Sequence, residues 1–406
     1  MLMKRVILFE IIFVFFFSSV FSQTRNQKTK VTTKQNIKKE SDAKLLYEQA
    51  CNLYDGTNGI FMDREKAISL YKQSADMGYS VAQYELGRLY IIASDNNEQI
   101  HITKEEALDY LKKSAKQKNP KALYALHVIY SEGKIVPQDH SIAAYWLRLG
   151  ADLEDPTCIF CLGLIYQQGE GVEINYQKAF DLFKKAANLN HVAAYEMIGE
   201  CYLHGWGIEQ NINEAKQWFR KGAEKENSDC QVALADIYVV VDDHPQAYYW
   251  YRKAAEQGDS YAQLKTGAYY ATGYKGCVEK DINEAIKWYR KSAEQGNANG
   301  QYHLAEHIKM DNPNEAFYWY KKAYEQGQLN AGAELGIMLL AGKGCEKDYN
   351  KSVEILEKLS EKGINRAMEA YGTMLIYGIP GVLKKNKAKG KALLHEAKKG
   401  KQYNEN

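Results

Sequence analysis

The chain has 406 residues, with 45% apolar and 26% charged side chains. That composition supports a buried core and excludes a disordered or collagen-like chain. Lys+Arg 53 against Asp+Glu 51 leaves a formal charge of +2, which excludes a polyanion-coating role. The 31 Tyr are an excess that needs a structural reason.

The first segment has the pattern of a secretory signal peptide, residues 1–22. Lys4 and Arg5 precede the apolar run Val6–Phe17, interrupted only by Glu10, and small residues follow through Ser22. Cleavage is expected after Ser22, leaving Gln23 as the new N-terminus; an uncleaved anchor is the alternative. The run is shorter than the ~20 apolar residues a membrane span needs, and no other stretch is long enough. The mature chain is therefore expected to have no transmembrane span and to be secreted or periplasmic. Residues 23–42 carry Arg25, Lys28, Lys30, Lys34, Lys38 and Lys39 against Glu40 and Asp42. They read as a flexible basic linker.

From residue 43 to 400 one unit repeats ten times, before a short tail at 401–406. A small residue is followed by an apolar one four later, a Gly five later and a Tyr eight later, as in Ala82, Leu86, Gly87 and Tyr90. The leading column reads Leu46, Ala82, Ala122, Cys158, Ala194, Cys230, Ala262, Gly300, Ala331 and Ala367. A period near 36 accommodates two helices and two turns. A second column reads Ala67, Ala107, Ala143, Ala179, Ala215, Ala247, Ala285, Ala316, Ser352 and Lys389. Trp146, Trp218, Trp250, Trp288 and Trp319 stand three residues after it, and Tyr71, Phe183, Phe219, Tyr251, Tyr289 and Tyr320 four after it. Spacings of 0, 3–4 and 7–8 define one helix face, so much of the Tyr excess is packing.

The helix ends agree. Asp63, Thr103, Asp139, Asn175, Asn211, Asp243, Asp281, Asn312 and Asp348 stand four residues before the second column, as N-caps. Five of these have Glu or Gln three residues on, the spacing of a capping box. Gly78, Gly258, Gly296, Gly327, Gly363 and Gly400 suit the left-handed residue past a helix end. Gly169/Gly171, Gly205/Gly207 and Gly342/Gly344 read as turns between helices; none has a phosphate-loop context.

The string A-x-x-x-L-G-x-x-Y-x-x-G-x-G…D/N-x-x-x-A…W-Y-x-K-A-A-E-x-G resembles the Sel-one-like repeat (SLR), a relative of the tetratricopeptide repeat. Asp281–Gly296 (DINEAIKWYRKSAEQG) and Ala247–Gly258 are close to its consensus. The resemblance implies an all-α fold, a right-handed α/α superhelical solenoid of about ten helix-turn-helix repeats whose concave face binds proteins. Repeat 2 departs by an insert at Ser94–His101. Repeats 6 and 8 lack the Gly turn, and the last repeat is basic and irregular.

The chemistry-bearing motifs are weak in this context. Of the seven Cys, Cys158 and Cys230 replace small packing residues. The strings Ser69-x-x-Lys72, Ser94-Asp95-Asn96 and Lys265-Thr266-Gly267 spell β-lactam-enzyme motifs, but on repeat helices rather than a sheet. His303-x-x-Glu306-His307 puts two imidazoles on one helix turn without an identifiable third metal ligand. No catalytic, cofactor or metal site is assigned. The candidate partner-binding residues lie on the first helix, three and six positions after its column, free of the packing pattern. They are Glu85, Arg88, Glu200, Asp236, Lys265, His303, Glu306 and Glu334, with Trp206, in the turn after His204, as a contact candidate if exposed and a staple between adjacent turns otherwise. The expected function is an exported non-enzymatic scaffold for a protein or peptide, with no nucleic-acid partner. The alternatives are a hydrolase or β-lactam-interacting envelope protein, and an adaptor in a eukaryotic secretory lumen.

Overall fold

The computed structural model describes residues 37–57, 61–274 and 276–404, with side-chain environments through residue 399. The expected signal peptide and most of the linker lie outside these residues. Residues 37–42, expected in the linker, form the start of the first described helix, and the expected tail begins inside the last one.

Two compact units, Met1–Gln210 and Asn211–Asn406, divide the chain. The first contains α1 (37–55), α2 (Arg64–Asp76), α3 (Ser80–Asp95), α4 (Lys104–Lys116), α5 (Pro120–Glu132), α6 (His140–Asp152), α7 (Pro156–Gln168), α8 (Tyr176–Asn188) and α9 (Ala193–His204). The second contains α10 (Ile212–Glu224), α11 (Ser228–Val240), α12 (His244–Glu256), α13 (Ser260–Thr272), α14 (Ile282–Glu294), α15 (Ala298–Ile308), α16 (Pro313–Glu325), α17 (Leu329–Ala341), α18 (Tyr349–Glu361), α19 (Asn365–Tyr377) and α20 (Lys387–Asn404). The odd-numbered helices are the A helices of ten hairpins and the even-numbered ones the B helices. No strand occurs among the described residues, only an isolated bridge between Ile379 and Leu383.

Most helices begin where a side chain serves their unpaired amides; α3, α9 and α19 start without one. All nine expected B-helix caps accept a backbone N–H, from Asp63 through Asp348. Only Thr103–Glu106 closes a full reciprocal box. The sequence reading missed a second set: Asn119, Asp155, Asn227, Asp259, Asn297 and Gln328 cap A helices.

The two columns face inward. From Ala82 to Ala367 the A column is buried, while Leu46, with no preceding hairpin described, is only half-buried. The B column is buried from Ala67 to Ser352. Its bulky residues four positions on fit holes left by A-helix glycines. A Cβ on Gly163 would lie 2.6 Å from the Phe183 ring, and one on Gly267 2.8 Å from the Tyr289 ring. These are close-packed contacts that a methyl group would break. In the second unit one apolar cluster runs from Leu264 on α13 to Leu375 on α19, as stacked hairpins require.

A glutamine relay, unread in the sequence, joins neighbouring hairpins. Gln83, Gln231, Gln263 and Gln301 are buried on A helices and donate to Ala75, Ala223, Ala255 and Ala293 carbonyls of the preceding B helix, at 3.0–3.2 Å. Each accepts in turn from a glutamine ending its own B helix: Gln117, Gln257, Gln295 or Gln326, at 2.8–2.9 Å. Buried amides are tolerated because both ends are satisfied.

Two positions in the last repeat are corrected. Lys389 is exposed and Gly390 takes the buried column place, where its added Cβ would be 2.6 Å from the Gly372 carbonyl oxygen. The cap shifts with it, so Asn386 accepts the Lys389 N–H at 3.0 Å. Gly400 lies inside α20 rather than past its end. Elsewhere the left-handed position holds as expected at Gly78, Gly258, Gly296, Gly327 and Gly363. Lys118, Glu154, Asn190 and Glu226 take the same conformation without being glycine.

Candidate functional site

The A helices of successive hairpins lie beside one another, α3 next to α5, α5 next to α7, α13 next to α15 and α17 next to α19. Residues three and six positions after the A column therefore recur in rows. Their charges are paired within the protein more than the sequence suggested. Glu85 and Arg88 form an ion pair at 2.6 Å, and Glu200 meets His204 at 3.1 Å. Asp236 accepts the Tyr251 hydroxyl, and Glu306 accepts the Tyr320 hydroxyl. The Lys265 ammonium lies 5.0 Å from the centre of the Tyr261 ring. The two tyrosine bonds join the A and B helices of one hairpin, so Asp236 and Glu306 act in the fold itself.

Glu334 links its own hairpin to the hairpins on either side. Its carboxylate is 12% exposed, 2.6 Å from Arg366 Nε and 3.7 Å from Lys309 Nζ. Lys309 also reaches Glu306 at 3.0 Å. One chain of charges thus crosses three A-helix hairpins, and Glu334 holds the Arg366 guanidinium above its ordinary pKa. Beside this chain, between α17 and α19, opens a groove of about 460 Å³. Ile337, Leu340, Ala370, Met374 and Ile379 give it an apolar floor, with Arg366, Glu369, Thr373 and Tyr377 around it. Ile337, Ala370 and Thr373 occupy the same three-and-six positions as the charged candidates. The sequence signal was present, but selecting only ionisable residues left them out.

Trp206 is half-buried, with its ring 4.8 Å from His204 and stacked over Tyr176 at 6.4 Å and 20°, the second of its two expected roles, a staple between turns. It fastens the turn after α9 to the start of α8. Gly207 beside it leaves room for the Tyr176 carbonyl, which a Cβ would overlap.

The His303-x-x-Glu306-His307 motif is a packing feature here. Both imidazoles stack on Tyr289, at 5.3 Å and 18° for His303 and 5.5 Å and 13° for His307. Burial lowers both pKa values, which favours neutral rings. No group of three or more His, Cys, Asp or Glu placed to hold a metal occurs among the described residues. Thr266 is fully buried inside α13, so Lys265–Gly267 offers no strand edge to a β-lactam. Ser69 is on α2, and Lys72 is paired with Glu106 at 3.2 Å. All seven cysteines are free thiols. Burial pushes Cys161 up to about 11 and Cys201 up to about 12, away from thiolate chemistry.

Comparison with known proteins agrees with this geometry. The family model described as Sel1 repeat matches residues 50–79, 104–119, 120–155, 158–191, 192–227, 233–259, 260–297, 299–328, 331–364 and 365–400. Among solved structures, the chain is similar to a protective antigen present in uropathogenic Escherichia coli strains, which displays an SLR fold. Identity is 28%, 90% of each chain is covered and the TM-score is 0.59. A Sel1 repeat protein from Oxalobacter formigenes shares the fold at 23% identity, over 72% of this chain and 87% of that one, with a TM-score of 0.51. No curated protein matches the chain in sequence. With ten matched repeats on ten observed helix hairpins, the chain belongs to the Sel1 repeat family.

Proposed function

We propose that this protein is an exported, non-enzymatic scaffold that holds a protein or peptide on its A-helix face. Sel1 repeat proteins typically mediate protein–protein interaction. The observation that carries the reading is the arrangement of A helices in rows, with an open apolar groove at α17 and α19 beside the Lys309–Glu334–Arg366 chain. Such a surface offers shape and charge to a partner, while the imidazoles, thiols and Thr266 described above are spent on packing. Export is supported by the basic start and apolar run of residues 1–22. The Escherichia coli neighbour's description as a protective antigen is in keeping with a location that antibodies reach.

Two experiments test this. A fusion of residues 1–42 to alkaline phosphatase, an enzyme active only after export, should be active; an inactive, intracellular fusion contradicts export. In crosslinked capture with the full chain, a stoichiometric protein should be lost with Thr373→Arg on the A face and retained with Tyr318→Arg on a B helix. Equal loss in both variants, or turnover of a chromogenic β-lactam, contradicts the scaffold.

A further inference from the structure

The groove between α17 and α19 does not end at the helices. The connection from α19 to α20 encloses a second depression of about 410 Å³, lined by Tyr377 through Lys385. The two share Tyr377, Gly378 and Ile379, so they form one continuous surface. Its character changes along its length. At the helix end the floor is apolar, and at the loop end it is basic.

The basic end is unusual for this protein. Between residues 378 and 391 the sequence contains Lys384, Lys385, Lys387, Lys389 and Lys391 and no Asp or Glu. Lys389 meets Glu357 at 3.7 Å. Lys384 and Lys385 are exposed and have no ion-pair partner among the described residues. On the A-helix faces most charges find a partner inside the protein; these two cations do not. Tyr377, between the apolar and basic parts, is 71% exposed. An amphipathic aromatic at that point can cover an incoming side chain and still hydrogen-bond at its rim.

Resting on the partner-face reading above, we propose that this surface binds an acidic peptide segment. An apolar side chain enters between α17 and α19, and flanking carboxylates meet Lys384 and Lys385. The charge of the rim selects acidic over basic segments. The recessed floor selects a chain that can insert a side chain, which a flat bilayer surface does not do. A groove of a few hundred cubic ångströms suits one or two leucine-sized groups.

The test is fluorescence anisotropy with the full chain and three labelled peptides of equal length. One has two Leu flanked by Asp and Glu, one has Lys in place of the acids, and one has Ser in place of Leu. The first should bind, and raised salt should weaken it. The other two should bind at least about tenfold more weakly. Lys384→Glu with Lys385→Glu should reduce acidic-peptide affinity by about tenfold or more, with an unchanged melting temperature because both side chains are exposed and unpaired. Thr373→Trp, which fills the groove from an exposed position, should reduce it separately. Equal binding of the basic peptide, or binding indifferent to the double lysine variant, overturns the proposal. So does binding to phosphatidylglycerol vesicles, with no peptide bound, that the double variant abolishes. If the acidic peptide fails while a captured protein still depends on Thr373, the A face stands and its acidic specificity falls. If captured protein is also indifferent to Thr373, the A-face reading falls too.

Discussion

Hairpins 8 and 9 are neighbours in the second unit, yet they are closed by different means. Hairpin 9 uses glycine. Gly336 on α17 leaves a hole for Leu356, whose Cγ would be 2.7 Å from an added Cβ. Gly342 and Gly344 have left-handed backbones, and a Cβ on Gly344 would overlap the Pro313 carbonyl that starts α16. Its long turn thereby touches the preceding hairpin through bare backbone. Hairpin 8 has α15 shortened to 11 residues, no turn glycine, and Ala305 in the helical Gly place. There a side-chain bond, Tyr320 hydroxyl to Glu306, joins the two helices, and Lys309 joins Glu306 to Glu334. Hairpin 6, with Ala235 in the Gly place, makes the same substitution through Tyr251 and Asp236. Where the turn is short, charges on the A face are drawn into holding the fold. The open groove at α17 and α19 lies in hairpins whose turns are long.

The largest effect should come from the glycine side of this contrast. Gly344→Ala is expected to cost about 3 kcal/mol, because left-handed strain adds to a backbone collision. Gly258→Ala, with nothing within 4 Å of its Cβ, should cost only about 1 kcal/mol. Thermal or urea unfolding distinguishes them, and equal costs would break the steric argument.

Next comes the polar closure. Tyr320→Phe removes a bond to a carboxylate and should cost about 1.5 kcal/mol. Tyr289→Phe, in hairpin 7 where the ring rests on Gly267, should cost less than about 0.5 kcal/mol. Similar values for both would remove the distinction between the two closures.

Acid should then loosen hairpin 8 before hairpin 9. Burial lowers the His303 and His307 pKa values despite Glu306 nearby, and Lys280 and Lys309 add to the depression at His307. The unfolded chain therefore takes up protons more readily than the folded one. Stability is retained above the unfolded value of about 6.5 and declines as pH falls below it. Hydrogen exchange in α15 should accelerate between neutral and mildly acidic pH, and His303→Gln should flatten that response. Exchange that rises equally in α17 contradicts a local cause.

The smallest expected effect is a gain. Lys118 sits in a left-handed backbone at φ 63, where five other hairpins of this fold use glycine with φ between 76 and 104. Lys118→Gly should stabilise by about 0.5 kcal/mol, the relief of strain less the entropy of a freer unfolded chain. A loss of stability would show that the lysine side chain contributes contacts there.

Most of the fold was legible because the columns repeat. Ala247, Trp250 and Tyr251 share a helix face by spacing alone, and Asp243 marks the start of that helix. The final hairpin was misread by one residue because its connection departs from the period. Lys389 fell on the expected number, while Gly390 has the small surface that close approach to α19 requires. The site was less legible. Periodicity placed Glu306 and Glu334 on the A face, but said nothing of the tyrosine, lysine and arginine that would meet them. Trp206 stands outside the packing column, so its sequence left a contact and a staple equally open, and only the fold brings Tyr176 beneath it. Ile337, Ala370 and Thr373 shared the right positions, yet uncharged residues carry no signal of recognition until a groove is seen around them.

The central claim is that partners meet the A-helix face. The most direct measurement places a photo-crosslinking amino acid at Thr373, on that face, or at Tyr318, half-exposed on a B helix, in otherwise unaltered full-length protein. Illumination under native conditions, followed by mass spectrometry, should join a defined protein to position 373 and not to 318. The same protein attached at 318 and absent from 373 would contradict the account.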